Sequence, residues 1–339
     1  LLLLLPFLLP FLAVRVSTLR RVSVLRGSPP PRIGEALLGS LRLAGVVMAP
    51  QLLYLNLYGL LFFGPGPLAA WAEEHPAVGM VSAAALFFVV FAASPAMVRY
   101  LFPREDMARV PGLKALDLSL KALGEAAGLR VRRIFVWRTG AQRVANAAVA
   151  GVLGRYQRFF ITDHLLRRLE PEEIHAVMAH ELGHATLRHP LYNFFLAVSA
   201  GVFLAWSLLA LLPWVEGLDL GRGWGPPLLL GLDALYIFTV FGFFLRRFEH
   251  QADMVAVALT GGPEPFSRAL VALGHLALVP DRRRSLTHPS IRQRLAWLDV
   301  RLARAPAQDW IRRFRRSNLL LLSVLLVLYG ATLALVELA

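Results

Sequence analysis

Six apolar runs alternate with polar segments along the chain. Leu43–Phe63, Ala77–Val98, Leu191–Val215, Gly223–Leu245 and Ser317–Val336 are each near the length needed to cross a bilayer. That length is roughly 20 helical residues for about 30 Å of hydrocarbon. Pro50, Gln51 and Asn56 interrupt the first of these runs, and Asp233 lies inside the fourth. The opening run, Leu1–Val14, would reach only about 21 Å as a helix. The chain does not open on Met, so we expect a few residues upstream to complete a further span. A signal-peptide core is the rival, but six arginines follow the run and no small-residue cleavage site is evident.

Two longer polar segments separate the runs. Within Arg99–Pro190, the Leu and Ala spacing of Leu113–Ala127 predicts a helix. Val131–Arg138 and Arg158–Thr162 are short and rich in β-branched and aromatic residues, which predicts strands. Val144–Gly154, between them, is a stretch of small residues. Pro171, flanked by Glu170, Glu172 and Glu173, marks a helix start that should run to about Arg188 and stop before Pro190. The second polar segment is Arg246–Arg316. The expected organisation is an N-terminal membrane region (1–101), a cytoplasmic α/β part (102–190), a transmembrane hairpin (191–247), a cytoplasmic helical part (248–316) and a C-terminal span (317–339). No internal repeat is visible.

Composition supports a membrane protein. The chain is 57% hydrophobic and only 17% charged, against about 45–50% and about 25% in soluble domains. It has no cysteine, which excludes a disulfide scaffold, thiolate metal sites and a cysteine nucleophile. The net charge of +14 raises the question of nucleic acid, and the placement of the charges answers it. Of 36 basic residues, 35 fall in Arg15–Arg42, Arg99–Pro190 and Arg246–Arg316, all on one side of a six-span topology. That is the positive-inside pattern. It accounts for the charge with a lipid bilayer as partner and no nucleic acid, and turns both large polar segments to the cytoplasm.

The helix after Pro171 carries His180-Glu181-Leu182-Gly183-His184, an H-E-x-x-H motif. Residues four apart lie about 40° apart in helical projection, so His180 and His184 can share one metal ion. Glu181, about 100° round, lies beside the metal, where it can take a proton from water. At this chain's own composition the motif arises by chance in roughly 1 chain in 100 of this length, so a third ligand is needed. Glu249 is the candidate, because the hairpin of apolar runs brings it back to the side and depth of His184. Asp253, four residues on, shares its helix face and could accept a hydrogen bond from a ligand imidazole. The alternative is that Glu249 and Asp253 are a solvated helix end paired with arginines.

H-E-x-x-H at His180–His184, an apolar hairpin, then E-x-x-x-D at Glu249–Asp253 resemble the CAAX prenyl protease 1 and bacterial heat-shock membrane protease family, metallopeptidase family forty-eight. The resemblance covers roughly residues 100 to 300. It implies a polytopic, mostly α-helical membrane protein of about six transmembrane helices with a cytoplasmic α/β zincin-like metalloprotease domain. It implies one Zn2+ on His180, His184 and Glu249, with Glu181 as general base. It also implies a substrate-binding role for Asn146 and Ala147, although Ala148 replaces the usual aromatic. His288, in His288-Pro289, and Arg294 would lie around the reacting carbonyl. The implied partner is a polypeptide: a membrane or misfolded protein, or a lipidated C-terminus. The expected location is a bacterial or archaeal plasma membrane, with the active site facing the cytoplasm.

The remaining histidines are not expected as ligands. His175 and His189 are each nine residues from a motif His and project to the opposite helix face, and His250 lies about 100° from Glu249. Asp233, inside an apolar run, is a functional site by default, though lining a wet cavity would explain it equally. An extended substrate is expected to pair with the strand near Val131–Arg138 or Arg158–Thr162. Three other classes fit the sequence less well. A site-2-type intramembrane protease needs its motif helix in the bilayer, and Glu170, Glu172 and Glu173 make this one too charged. A scaffold with a structural metal has no need of Glu181. A transporter would show inverted repeats.

Overall fold

The computed structural model describes the chain apart from residues 1–4, 26–29, 63, 102, 141–142, 152–156, 207–216, 218–224, 278–280, 282–284, 286–287 and 339. The described part is mostly helical. Helices α1 (Leu5–Leu25), α2 (Ile33–Phe62), α3 (Pro67–Glu74) and α4 (Pro76–Leu101) form the N-terminal region, with α2 packed between α1 and α4. Strand β1 (Arg104–Asp106), helix α5 (Lys114–Ala126), strands β2 (Ile134–Trp137), β3 (Ala147–Ala150) and β4 (Arg158–Thr162), and helices α6 (Asp163–Leu166) and α7 (Pro171–Thr186) make the α/β part. Then follow α8 (His189–Trp206), α9 (Gly225–Tyr236), α10 (Gly242–Leu259), α11 (Pro263–Ala277), α12 (Ile291–Leu302) and α13 (Ala307–Leu338).

Two helices are long and apolar enough to cross a membrane among the described residues: α4 over Pro76–Ala93 and α13 over Ala307–Ala334. Only 6% and 17% of these windows are buried inside the protein. The core helix of a soluble protein would be mostly buried, and these two are not. Val89, Leu320 and Val327 are examples of outward-facing apolar side chains. The other expected spans fall in α1, α2, α8 and α9–α10. The far end of Leu191–Val215 lies outside the described residues.

The helix does not stop where the apolar run Gly223–Leu245 ends. α9 passes through a π-helical turn, Ile237–Phe241, straight into α10, so Glu249 rides on the continuation of the same helix. π-turns of this kind occur frequently at functional sites.

The sheet has the order β1-β2-β4-β3, with β2 parallel to β4 and both outer strands antiparallel. β2 and β4 are therefore flanked on both sides and have no edge left for a substrate. The expectation that one of them pairs with substrate moves to β3, the edge strand beside α7. The sequence concealed β3 because Ala147-Ala148-Val149-Ala150 has little of the bulk that marks a strand.

α7 begins as its sequence predicts, with Pro171 in the first turn and a Glu170–Glu173 capping box. It ends at Thr186, close to the expected end and before Pro190. Arg188 adopts a left-handed φ of 57°, the chain turns, and α8 starts at once at His189 with Pro190 in its first turn, where a missing N–H costs nothing. Ile174, Met178 and Leu182 bury one face of α7 against the sheet and its surroundings. The other face crosses α10 at Gly183. A Cβ on Gly183 would lie 2.8 Å from the Ala252 Cα and 2.9 Å from its carbonyl oxygen.

Candidate metal centre

That close crossing sets His180 and His184 of α7 against Glu249 of α10. The Nε2 atoms of the two histidines face each other at 3.2 Å. Glu249 Oε1 is 3.4 Å from His184 Nε2, and Oε2 is 3.7 Å from His180 Nε2. One ligand atom from each residue falls within a 4.8 Å cluster. A tetrahedral ion with bonds of about 2.0–2.1 Å spaces its ligands roughly 3.3 Å apart, so the trio has the dimensions of a zinc site. Glu249 Oε2 is buried without a hydrogen-bond partner. A buried carboxylate oxygen that accepts no hydrogen bond and faces two imidazoles suits a metal ligand.

The rings are fixed from behind. His180 Nδ1 is 3.0 Å from Asp253 Oδ1, and its ring stacks on Phe266 of α11 at a centroid distance of 5.8 Å. Asp253 forms a two-point pair with Arg294, whose Nε donates to Oδ2 at 2.9 Å and whose second guanidinium nitrogen donates to Oδ1. Burial opposes charge on Asp253, but Arg294 outweighs it and holds the carboxyl below its usual range. Glu249 is also held well below that range, against its burial, by His184, His180 and Arg294. The guanidinium reaches within 3.7 Å of Glu249 Oε2. Arg294 is placed by α12, whose start is fixed by a Ser290–Gln293 capping box.

His184 is held by a different chain of bonds. Its Nδ1 lies 2.9 Å from Nδ1 of His189, whose Nε2 lies 2.9 Å from Gln251 Oε1. Gln251 in turn exchanges hydrogen bonds with Asn318 on α13, at 3.1 and 2.8 Å. Burial and the neighbouring His184 push His189 well below the usual imidazole pKa, so it is neutral. With His184 Nε2 turned to a metal, His184 Nδ1–H donates to His189 and His189 Nε2–H donates to Gln251. Helical projection alone puts His189 on the far face from His180. The turn at Arg188 voids that projection, and His189 returns beside His184. It still offers no atom to the cluster.

Glu181 stands beside the trio. Its Oε2 accepts the Val149 N–H of β3 at 3.0 Å. Burial raises its pKa against the opposing pull of His184 and His180, which favours a carboxylate able to accept a proton. A cavity of about 510 Å³ opens in front, lined on one side by Asn146, Ala147, Glu181 and Glu249 and on the other by Phe266 and Leu270. The Asn146 backbone is tied to Thr162 in both directions at 3.0 Å, while its side chain is exposed. His288 is largely exposed, with Nε2 3.6 Å from Glu249 Oε1.

Of the expected site residues, Asn146, Ala147, His180, Glu181, Glu249, His288 and Arg294 line this cavity, while His184 and Asp253 touch Glu249 and His180 without lining it. Phe266, Gln251, Asn318 and Val149 had no motif to announce them. His175 bonds to the Pro171 carbonyl and to Ser119, and His250 stacks on Trp297. Asp233 lies on α9, ahead of the π-turn, and both its carboxylate oxygens are buried without hydrogen-bond partners.

Comparison with known protein families matches residues 115–302, more than half of the chain, to Peptidase family M48. The chain belongs to this family. A CAAX prenyl protease 1 homolog of Taenia solium is 32% identical over 153 residues, covering 40% of this chain and 32% of that protein. A protease HtpX homolog of Herminiimonas arsenicoxydans is 27% identical over 214 residues, covering 53% of this chain and 69% of that one. Ste24p of S. mikatae shares the fold, with a TM-score of 0.51 and 21% identity over 78% of this chain. The M48 chain spans 65% of Ste24p and about a third of the Taenia protein. The matched segment contains α7, α10 and α12, and so every residue of the centre described above except Asn318.

Proposed function

We propose that this M48 chain is a membrane-embedded, zinc-dependent metalloendopeptidase that cleaves polypeptides on the cytoplasmic side. The observation that carries the reading is the convergence of His180, His184 and Glu249 with Glu181 beside them. These three residues hold the ion. Zn2+ bound there supplies Lewis acidity, which brings the pKa of a water towards about 7 and polarises the scissile carbonyl.

The chain's own residues do the rest. Glu181, raised in pKa and steadied by the Val149 N–H, takes the proton of the attacking water and returns it to the leaving amine. His288, at the mouth of the cavity, donates to the carbonyl oxygen as charge develops on it. Arg294 acts from behind, by holding Asp253 and, through it, the His180 ring. Asn146 and Ala147 orient the substrate backbone along β3. The apolar wall of Phe266 and Leu270 suits a bulky apolar group. The name of the Taenia relative makes lipidated C-termini the first substrates to assay, alongside misfolded membrane proteins.

Six spans and a cytoplasmic site follow from the distribution of arginines. A bacterial or archaeal plasma membrane is the setting proposed. An intramembrane protease is disfavoured because α7 opens with acidic residues and packs on the sheet part.

The test is zinc content and peptide cleavage of the purified full chain beside Glu181→Gln. About one zinc per chain in both, with cleavage reduced about 10²–10⁴-fold only in the variant, is the expected result. Zinc in both without wild-type cleavage of any lipidated or unfolded substrate would favour a non-enzymatic scaffold. Absence of zinc would overturn the reading.

A further inference from the structure

Behind the metal centre, on the far side of α12, lies a second and larger cavity of about 900 Å³. Its lining includes Arg246, Arg247, Arg301 and Arg313, together with Trp297 and Trp310. No Asp or Glu is among its described lining residues. The Arg301 guanidinium lies 4.7 Å from the Trp310 ring and 5.6 Å from the Trp297 ring, and Arg313 lies 4.8 Å from Trp310. Arg247 donates to Ser317 Oγ at 2.9 Å. Among the described residues, no carboxylate forms an ion pair with Arg247, Arg301 or Arg313.

The depth of the cavity is as telling as its charge. Arg246 and Arg247 follow directly on the apolar run that ends at Leu245, and Ser317 begins the one that ends at Val336. The cavity therefore opens where two membrane-directed helices, packed together as α10 and α13, leave the hydrocarbon. Arginine with tryptophan at that level is the composition of a lipid headgroup zone.

We infer that this cavity binds the phosphate of an anionic phospholipid headgroup. The phosphodiester accepts from Arg247, Arg301 and Arg313, and the indoles of Trp297 and Trp310 pack along the glycerol and upper acyl chain. Lipid supplies the negative charge that the described lining does not offer to Arg247, Arg301 and Arg313. The occupant is the surrounding bilayer's own lipid, because the cavity faces the membrane boundary.

Native mass spectrometry of the detergent-purified full chain tests this without any peptidase assay, so the outcome is independent of the proposed function. Phosphatidylglycerol, phosphatidylcholine and inorganic phosphate are the probes. Wild type is expected to retain about one phosphatidylglycerol and to discriminate against phosphatidylcholine. Arg247→Gln with Arg301→Gln should weaken retention about tenfold or more, since each arginine near a membrane surface contributes appreciably to anionic lipid binding. Arg313→Gln, at an exposed position, is a milder variant that should weaken it in the same direction should the double variant fold poorly. Arg304→Gln with Arg316→Gln, an equal charge change outside the cavity, should leave retention intact. Equal loss in that control, or equal retention of phosphatidylcholine, would overturn the proposal. Retention of inorganic phosphate in place of lipid would overturn it in favour of a free-anion site.

Discussion

Gly183 lies so close to Ala252 that the two helices of the metal centre touch backbone to backbone. The Cβ that any other residue would carry meets the Ala252 Cα at 2.8 Å and its carbonyl oxygen at 2.9 Å. Because the obstacle is main chain, no side-chain rotation relieves it. Gly183→Ala must push α7 off α10, and with it His184 away from Glu249. Overpacking of this kind typically costs about 1–3 kcal/mol. We expect a lower melting temperature and weaker zinc binding together. Unchanged zinc affinity in a folded Gly183→Ala protein would show that the helix crossing does not set the ligand spacing.

His184 depends on His189 for its tautomer. His189→Phe keeps ring volume against Phe248, which stacks on the native imidazole at 4.5 Å, but removes the acceptor for His184 Nδ1–H. Loss of such outer partners usually costs about 10–100-fold in metal affinity. A chelator-competition titration should read a loss in that range, with the helix content by circular dichroism unchanged. An affinity equal to wild type would mean that His184 is oriented by packing alone.

These residues also show how much of the site the sequence disclosed. H-E-x-x-H and the later Glu249–Asp253 pair were legible because helical spacing fixes which side chains share a face. The hairpin of apolar runs then placed Glu249 opposite His184. His189 was misplaced because a helical projection assumes an unbroken helix, and one residue of left-handed backbone at Arg188 ends that assumption. β3 was missed because alanines signal no strand, and its identity comes from pairing with β4, a long-range contact. Gln251 and Asn318 are ordinary polar residues until α10 and α13 pack. The long helices were legible as apolar runs, whereas the π-turn inside the run Gly223–Leu245 left no mark in the sequence.

Asp253 and Arg294 are a buried charge pair, so breaking it and replacing it should differ. Asp253→Asn leaves the Arg294 charge buried and unmatched, which typically costs about 3–5 kcal/mol. Asp253→Leu with Arg294→Met should recover much of that stability without recovering zinc affinity, since His180 Nδ1 still lacks its acceptor. Acid has a related effect. The native Asp253 pKa is depressed, so the pair's contribution is present above the unfolded value of about 3.9 and is lost as pH falls towards the native pKa. Denaturant midpoints measured from neutral pH downward should fall less steeply in the double variant than in wild type. Equal acid sensitivity would assign the effect to other carboxylates.

β3 offers the open edge of the sheet, next to Glu181, and both neighbours of that edge bear on the substrate. The Val149 N–H is already spoken for by Glu181 Oε2 at 3.0 Å. A peptide laid along β3 therefore cannot use that donor unless Glu181 releases it, and Ala147, two residues earlier on the same side of the strand, carries the next outward N–H and carbonyl. Strand addition is therefore expected at Ala147 and not at Val149, with the scissile bond near Glu181. N-methylation of a substrate amide removes one strand hydrogen bond, of about 1 kcal/mol, and should lower kcat/KM roughly fivefold at positions paired with Ala147. Methylation beyond the reach of β3 should have little effect. A scan of singly N-methylated peptides that shows no position-dependent penalty would remove the strand-addition part of the mechanism while leaving the metal centre intact.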